Sequence, residues 1–307
     1  MLSVCIPVYN YDVCPLVHHL VQQTINTNHL VEIIVMDDAS IPEYININTK
    51  IEKYNNVSFI KLRDNIGRSC IRNLLASKAT YNYILFLDGD SSIKPDFLDR
   101  YIKAIETDTY VICGGTIYTD TCPDPHKMLH WKAGKFRESH SVEQRIKNTY
   151  QNLTSNNFVI KRDIFEHISF DEKIKKYGHE DTLFGIDLEL KNIHIKHIDN
   201  PVIHLGIDLN KDYLKKTEQA IENLVQLLRE PKYKIVLSQR IKLLRYFNWI
   251  YKTKTDGLII FFFTLLKSAI TRNLLSAKPS LKLFDFFKIG YLVTTYKCTE
   301  IIQRTEL

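Results

Sequence analysis

The chain is short of several things, and each shortage removes a class of protein. Its six cysteines (Cys5, Cys14, Cys70, Cys113, Cys122 and Cys298) form no C-x-x-C pair and keep no regular spacing. Several lie within apolar runs, as buried, reduced thiols of a cytosolic protein do. No segment repeats, and no low-complexity tract interrupts the sequence. An apolar strand is expected from Leu2 onward, which leaves no room for a signal peptide. The most apolar run, residues 258–266, is stopped by Lys267. It falls far short of the roughly 20 residues that a spanning helix needs.

What is present is an ordinary globular balance, with 307 residues, 45% hydrophobic and 25% charged. That length suggests about two domains. The net charge of +6 conceals an asymmetry. From Lys232 to Cys298 there are 13 Lys and Arg against two acids, Asp256 and Asp285, a surplus of +11 that leaves about −5 elsewhere. A basic tail on a mildly acidic body calls for a polyanionic partner, either nucleic acid or anionic lipid.

Short apolar runs alternate with helical periodicity through the first two thirds. Strands are expected at 2–8, 31–36, 57–62, 83–87, 110–113, 157–161, 193–198 and 202–205. Between them, sets such as Leu16, Val17, Leu20 and Val21, or Leu98, Tyr101, Ile102 and Ile105, recur at helical spacing. This pattern predicts an α/β fold with a mostly parallel sheet and helices on both faces. Residues 116–155 read as an irregular excursion. A domain is expected over 1–210, followed by a helical extension over 211–307 that is basic and amphipathic. Its aromatic, basic helices suit a membrane interface, while packing on the preceding domain or on each other is the competing expectation.

In sheets of this kind ligands sit beyond the carboxyl ends of the strands. The triplet Asp88-Gly89-Asp90 directly follows the apolar run 83–87, and Tyr9 and Asp38 also stand at strand exits. Two carboxylates delivered to one strand exit can hold a divalent metal against a diphosphate.

Taken together, Pro7-Val8-Tyr9-Asn10, Asp37-Asp38-Ala39-Ser40, Asn65-Ile66-Gly67 with Arg72-Asn73, Asp88-Gly89-Asp90 and Glu180-Asp181 resemble the signatures of family-2 inverting glycosyltransferases with the GT-A fold. The resemblance covers roughly residues 1–206. The tail more loosely resembles extensions on bacterial members that make surface polysaccharides.

The resemblance implies roles position by position. Pro7, Val8 and Tyr9 would contact the nucleotide, with Tyr9 stacking on the base and Asp38 accepting from a uracil-like N–H. Arg68 and Arg72 offer cations to the diphosphate, with Arg72 the better fit to the family's basic contact and Arg68 equally readable as a solvated loop residue. Asp90 would ligate Mn²⁺ or Mg²⁺, with His204 as a second ligand, and Asp88 would face the ribose or a metal-bound water. Asp181 would be the general base, with Glu180 orienting the site. Trp131 and Asn156 are weaker candidates for acceptor contacts. The implied donor is a nucleotide sugar, UDP-linked, and the acceptor a saccharide or lipid-linked saccharide. The place of action is peripheral, on the cytoplasmic face of the inner membrane, with an anionic membrane surface as partner.

Two departures stand out. Ala39 occupies a position where the family usually has Gly. The Gln-x-x-Arg-Trp motif of processive synthases is missing, which favours transfer of one sugar per binding event. A nucleic-acid-binding or polyanion-binding protein using the basic tail is the rival in another class. Its stacking aromatics would need exposure, whereas those of the tail fall on apolar faces, so no nucleic acid is expected. A sugar-phosphate nucleotidyltransferase would need a Gly-rich loop after the first strand, and residues 7–10 contain no glycine.

Overall fold

The computed structural model describes residues 1–27, 29–105, 110–174 and 177–305. The chain begins with β1 (Leu2–Val8), α1 (Cys14–Ile25), β2 (Val31–Asp37), α2 (Pro42–Asn48), β3 (Val57–Lys61), α3 (Arg68–Lys78) and β4 (Tyr83–Leu87). It continues through β5 (Ser91–Ser92), α4 (Phe97–Ile105), β6 (Val111–Cys113), β7 (Thr116–Ile117), α5 (Met128–Ala133) and α6 (Val142–Lys147). Then come β8 (Asn157–Lys161), α7 (Arg162–His167), α8 (Glu180–Leu190), β9 (Ile195–His197) and β10 (Val202–His204). Five helices close the chain: α9 (Asn210–Leu227), α10 (Pro231–Arg240), α11 (Lys242–Lys252), α12 (Asp256–Leu274) and α13 (Leu281–Thr305).

The chain divides into two units. The first comprises Met1–Thr119, Arg137–Lys175 and Glu180–Gly206, and the second Asp120–Phe136, Lys176–His179 and Ile207–Leu307. The second unit thus takes two pieces from within residues 1–210 as well as the C-terminal helices.

The first unit holds a seven-stranded sheet in the order β3-β2-β1-β4-β8-β6-β9. Only β8 runs antiparallel to its neighbours, β4 and β6. The mostly parallel α/β architecture expected from the sequence is therefore the one that forms. A small second sheet has the order β5-β10-β7. Alternation along β1 sends Leu2, Val4, Ile6 and Val8 to one face, against Leu16, Val17 and Leu20 of α1 and Phe97, Leu98 and Tyr101 of α4. Cys5 points to the other face, with Ile71 and Leu75 of α3. Burial of both faces explains the unbroken apolar runs. On that second face, Phe86 of β4 stacks on Phe158 of β8 at 5.1 Å, and Phe170 stacks on Phe184 of α8 at 4.5 Å. These rings floor the region where β4 ends.

The excursion over 116–155 is more ordered than its sequence suggests. α5 and α6 have six residues each, too few turns to display a clear period. α6 is started by a capping box between Ser141 and Gln144.

The second unit packs α12 and α13 together with α5 and α9. Phe263, Ile270 and Leu274 of α12 meet Phe284 and Phe287 of α13, beside Leu129, Tyr213 and Leu214. Here the sequence expectation needs correction, because Lys267 does not end the apolar segment as a helix. α12 spans 19 residues in all, Asp256–Leu274, and so continues past Lys267. The Lys267 ammonium lies 5.9 Å from the Phe263 ring and 5.8 Å from the Tyr291 ring. A long aliphatic stem lets the charge sit at the rim while the helix continues beneath it. By length and composition α12 is sufficient to cross a membrane, with 17% of its most apolar window buried.

Candidate active site

The exits of β1 and β2 are tied to each other. The Asp38 N–H donates to Val8 O at 2.9 Å. Asn10 N–H donates to Ser40 Oγ at 2.7 Å, Ile41 N–H donates to Asn10 Oδ1 at 2.9 Å, and Ser40 N–H donates to Asp37 Oδ1 at 2.7 Å. Asn10 (φ 49°) and Ala39 (φ 61°) both adopt the left-handed conformation this crossover requires. Tyr9 is left 55% exposed at its rim.

Asp38 is buried, and its carboxylate accepts from the N–H groups of Ile66 at 2.7 Å and Gly67 at 3.1 Å. Asn65 Nδ2 adds a bond to its carbonyl at 3.0 Å. Burial raises its pKa, and the two backbone donors oppose the shift without cancelling it. Asp38 therefore fastens the loop that starts α3, with Gly67 supplying a φ of 84° just before the helix.

The Asp-Gly-Asp turn leaves β4 against this crossover. A Cβ at Gly89 would come 3.3 Å from Pro7 O and 3.5 Å from Val8 Cβ, so glycine lets the two strand exits touch. Pro7 and Val8 thus border the turn itself. Asp88 receives the Arg72 guanidinium, Nη2 to Oδ1 at 2.6 Å. Arg72 is fully buried, with its guanidinium carbon 5.7 Å from the Phe170 ring. Arg68, one turn earlier on α3, is half-exposed and lies 3.5 Å from Glu180 Oε1.

Asp90 points elsewhere. Its Oδ1 is buried, accepts no hydrogen bond, and lies 3.4 Å from His204 Nδ1. Leu205 N–H donates to Asp90 O at 2.9 Å, so β10 is fixed to the turn. A Cβ at Gly206 would overlap the Asp90 carboxylate. Burial would raise the Asp90 pKa, but the His204 ring and the Arg68 charge overcome it and hold the carboxyl below its usual range. Burial pushes the His204 ring down, yet Asp90 foremost and Asp88 next hold it above its ordinary value. The Tyr118 ring meets His204 edge-on at 5.5 Å.

Glu180 and Asp181 open α8, where acids favour the unpaired N–H groups. Asp181 Oδ2 accepts from Ser155 N–H at 3.2 Å, while Oδ1 is buried with no hydrogen-bond partner. Burial and the neighbouring Glu180 raise its pKa to about 6, against the pull of the Arg72 charge.

The acids far apart in sequence are thus linked in the first unit by Arg68 and Arg72. Asp88 pairs Arg72, Glu180 pairs Arg68, and Asp90 and Asp181 each feel one of these charges. Asn156 lies beside them, its carbonyl accepting from Asp88 N–H at 3.1 Å and its Oδ1 from Thr116 Oγ1 at 2.9 Å. Trp131 belongs to the second unit, edge-on to Phe136 at 6.0 Å with the Lys135 ammonium 5.3 Å from its ring. Sequence reasoning missed Gly206 and Ser155. Gly206 carries a faint signal, a glycine two residues beyond a strand histidine, whereas Ser155 acts through its backbone and leaves none.

Among the described residues no group of three or more His, Cys, Asp or Glu could hold a metal ion by itself. Asp90 and His204 are a pair. An unbonded buried carboxylate oxygen beside an imidazole nitrogen fits a divalent ion whose remaining ligands come from phosphate and water.

A model of glycosyl transferase family 2 matches residues 3–169. The chain belongs to that family. Among curated relatives, this family-2 chain is 26% identical over 262 residues to a chondroitin synthase of Escherichia coli, covering 75% of this chain and 38% of that one. It is 23% identical over 230 residues to the putative glycosyltransferase EpsH of Bacillus subtilis, covering 72% and 65% respectively. The chain therefore spans less than two thirds of the length of either relative. Its fold is similar to that of the mannosyltransferase PcManGT from Pyrobaculum calidifontis in complex with GDP-Man and Mn²⁺. The TM-score is 0.59 at 11% identity, over 98% of this chain and 86% of that one. S. aureus TarS 1–349 in complex with UDP-GlcNAc gives 0.51 at 18% identity, over 99% and 92%. These likenesses bear out the GT-A architecture expected from the sequence.

Proposed function

We propose that this family-2 chain transfers one sugar, with inversion, from a UDP-linked donor to a hydroxyl of a saccharide or lipid-linked saccharide. The setting proposed is assembly of a cell-surface polysaccharide at the cytoplasmic face of the inner membrane. The observation that carries this reading is the Asp181 carboxylate, with one buried oxygen left without a hydrogen bond and a pKa of about 6. A carboxyl poised there is ionised at neutral pH yet more basic than an ordinary aspartate, as a general base should be.

In this scheme Asp181 accepts the acceptor's hydroxyl proton as that oxygen attacks the anomeric carbon. The bond from the anomeric carbon to the diphosphate oxygen breaks on the opposite face, and its electron pair leaves with the nucleoside diphosphate. Tyr9 supplies a flat apolar contact for the base, and Asp38 holds the loop beside it. Arg68 is the better placed of the two arginines to meet the diphosphate, because Arg72 is buried on Asp88. Mn²⁺ or Mg²⁺, when held by Asp90 and His204, would neutralise charge on the leaving diphosphate. UDP is favoured by the family resemblance, while the Asp38 carboxylate expected to read the base is engaged by the Ile66 and Gly67 N–H groups. The neighbour TarS is complexed with UDP-GlcNAc, whereas PcManGT is complexed with GDP-Man.

The test is a screen of nucleotide sugars for slow hydrolysis, which needs no acceptor. Release of nucleoside diphosphate that requires Mn²⁺ or Mg²⁺ and disappears in Asp90→Ala is expected. Failure of every donor with both metals sinks the reading.

A further inference from the structure

The solvent side of α12 is apolar. Leu258, Phe261, Phe262, Leu265 and Leu266 are exposed, Phe261 by 61% and Leu265 by 65%. Their spacing of i, i+3, i+4, i+7 and i+8 places them on one stripe of the helix. Phe263, Ile270 and Leu274 occupy a different stripe and are buried against α13. The helix therefore has two apolar faces, and the second unit covers only one of them. A contiguous exposed apolar stripe of this size marks an interaction site.

The surroundings identify the partner. Exposed Arg245, Lys252, Lys254 and Arg272 lie on α11, on α12 and between them. The two acids of the basic tail are neutralised by neighbours, Asp256 by Lys297 at 3.3 Å and Asp285 by Lys288 at 3.2 Å. Tyr246 and Trp249 of α11 are exposed one turn apart, the residue types that settle at headgroup depth. A second copy would bring the same cationic rim against this one, where like charges repel. An anionic lipid surface supplies both the apolar layer and the opposite charge. Spanning is disfavoured, because it would strip α12 of its packing on α13 and carry Lys267 into hydrocarbon.

We propose that the exposed face of α12 lies in the interface of an anionic bilayer, inserting Phe261, Phe262 and Leu265 between headgroups while the basic side chains meet lipid phosphates. The inference rests on the reading above only for its purpose, namely bringing the enzyme to a lipid-linked acceptor. It can fail alone.

The experiment floats the full-length chain with phosphatidylcholine vesicles, with and without phosphatidylglycerol, beside the variant Phe261→Glu/Leu265→Glu. The wild type should bind only the anionic vesicles and be released by salt, and the variant should lose about tenfold or more of that partitioning. Nucleotide-sugar hydrolysis should be equal in the two proteins, which shows that the variant is folded. Four results overturn the proposal: no vesicle binding by the wild type, equal binding by the variant, resistance to alkaline carbonate extraction, or a solution dimer that the variant splits without any vesicle binding. Vesicle binding as expected with no hydrolysis in either protein would instead strike at the enzymatic reading and leave the membrane face standing.

Discussion

Arg72 Nη2 lies 2.6 Å from Asp88 Oδ1, with the arginine side chain 2% exposed. This pair fixes the first carboxylate of the Asp-Gly-Asp turn from behind. Its cation also lowers the pKa of Asp181, so one guanidinium acts on two separate parts of the site. Removing one member of a buried pair leaves the other charge uncompensated, at a cost of about 3 kcal/mol. Arg72→Met should therefore lower unfolding stability by about 3 kcal/mol in urea titration. It should also shift the acid limb of kcat/KM to higher pH, a change that lost stability alone does not produce.

The second prediction concerns pH. Asp181 must be ionised to take a proton, and its pKa is raised to about 6. Activity should accordingly rise as pH climbs through that value, with the acid limb of kcat/KM centred near 6 and not near the ordinary carboxyl range. Asp181→Asn should cost about 10²–10⁴ in kcat, the usual worth of a general base. Donor affinity measured by calorimetry should change little. A variant that keeps its turnover would remove the assignment.

Gly206 offers a test of the Asp90 site that leaves every acid in place. A side chain there would overlap the Asp90 carboxylate, which can escape only by rotating from His204. Gly206→Ala should weaken Mn²⁺-dependent nucleotide binding by roughly 10–100-fold, as misdirected metal ligands do. Metal-free binding should be nearly unaffected. Titration calorimetry with and without Mn²⁺ separates the two, and equal losses in both would assign Gly206 to packing only.

Ala39 carries the fourth prediction. Its φ of 61° is a conformation that glycine adopts without penalty and alanine does not. Ala39→Gly should raise stability by up to about 1 kcal/mol, readable as a higher melting temperature. Ala39 is thus a mildly strained residue at the strand crossover.

The sheet was legible because its strands are buried on both faces and leave unbroken apolar runs such as residues 33–36 and 83–87. Strand direction was not, since the reversal of β8 leaves no trace in a period of two. The acids were visible by type and by their place after strands. Their partners were hidden, because Asp38 is held by backbone N–H groups and Asp181 by Ser155 N–H, which every residue but proline possesses. The burial of Arg72 was equally silent, since it depends on Phe170, 98 positions away. α12 misled in the opposite sense. A lysine within an apolar stretch reads as an end, yet its flexible stem lets the helix pass.

The lacing of Asn10, Ser40, Asp37 and Ile41 has a consequence for recognition. The ledge at the head of β1 and β2 is set when the chain folds, so on the proposed reading a nucleobase would meet a hard floor there at little cost in ordering entropy. Accommodation of different bases would fall to the exposed Tyr9 ring at that edge. Discrimination between purine and pyrimidine would then be a matter of how one side chain swings over an unyielding shelf.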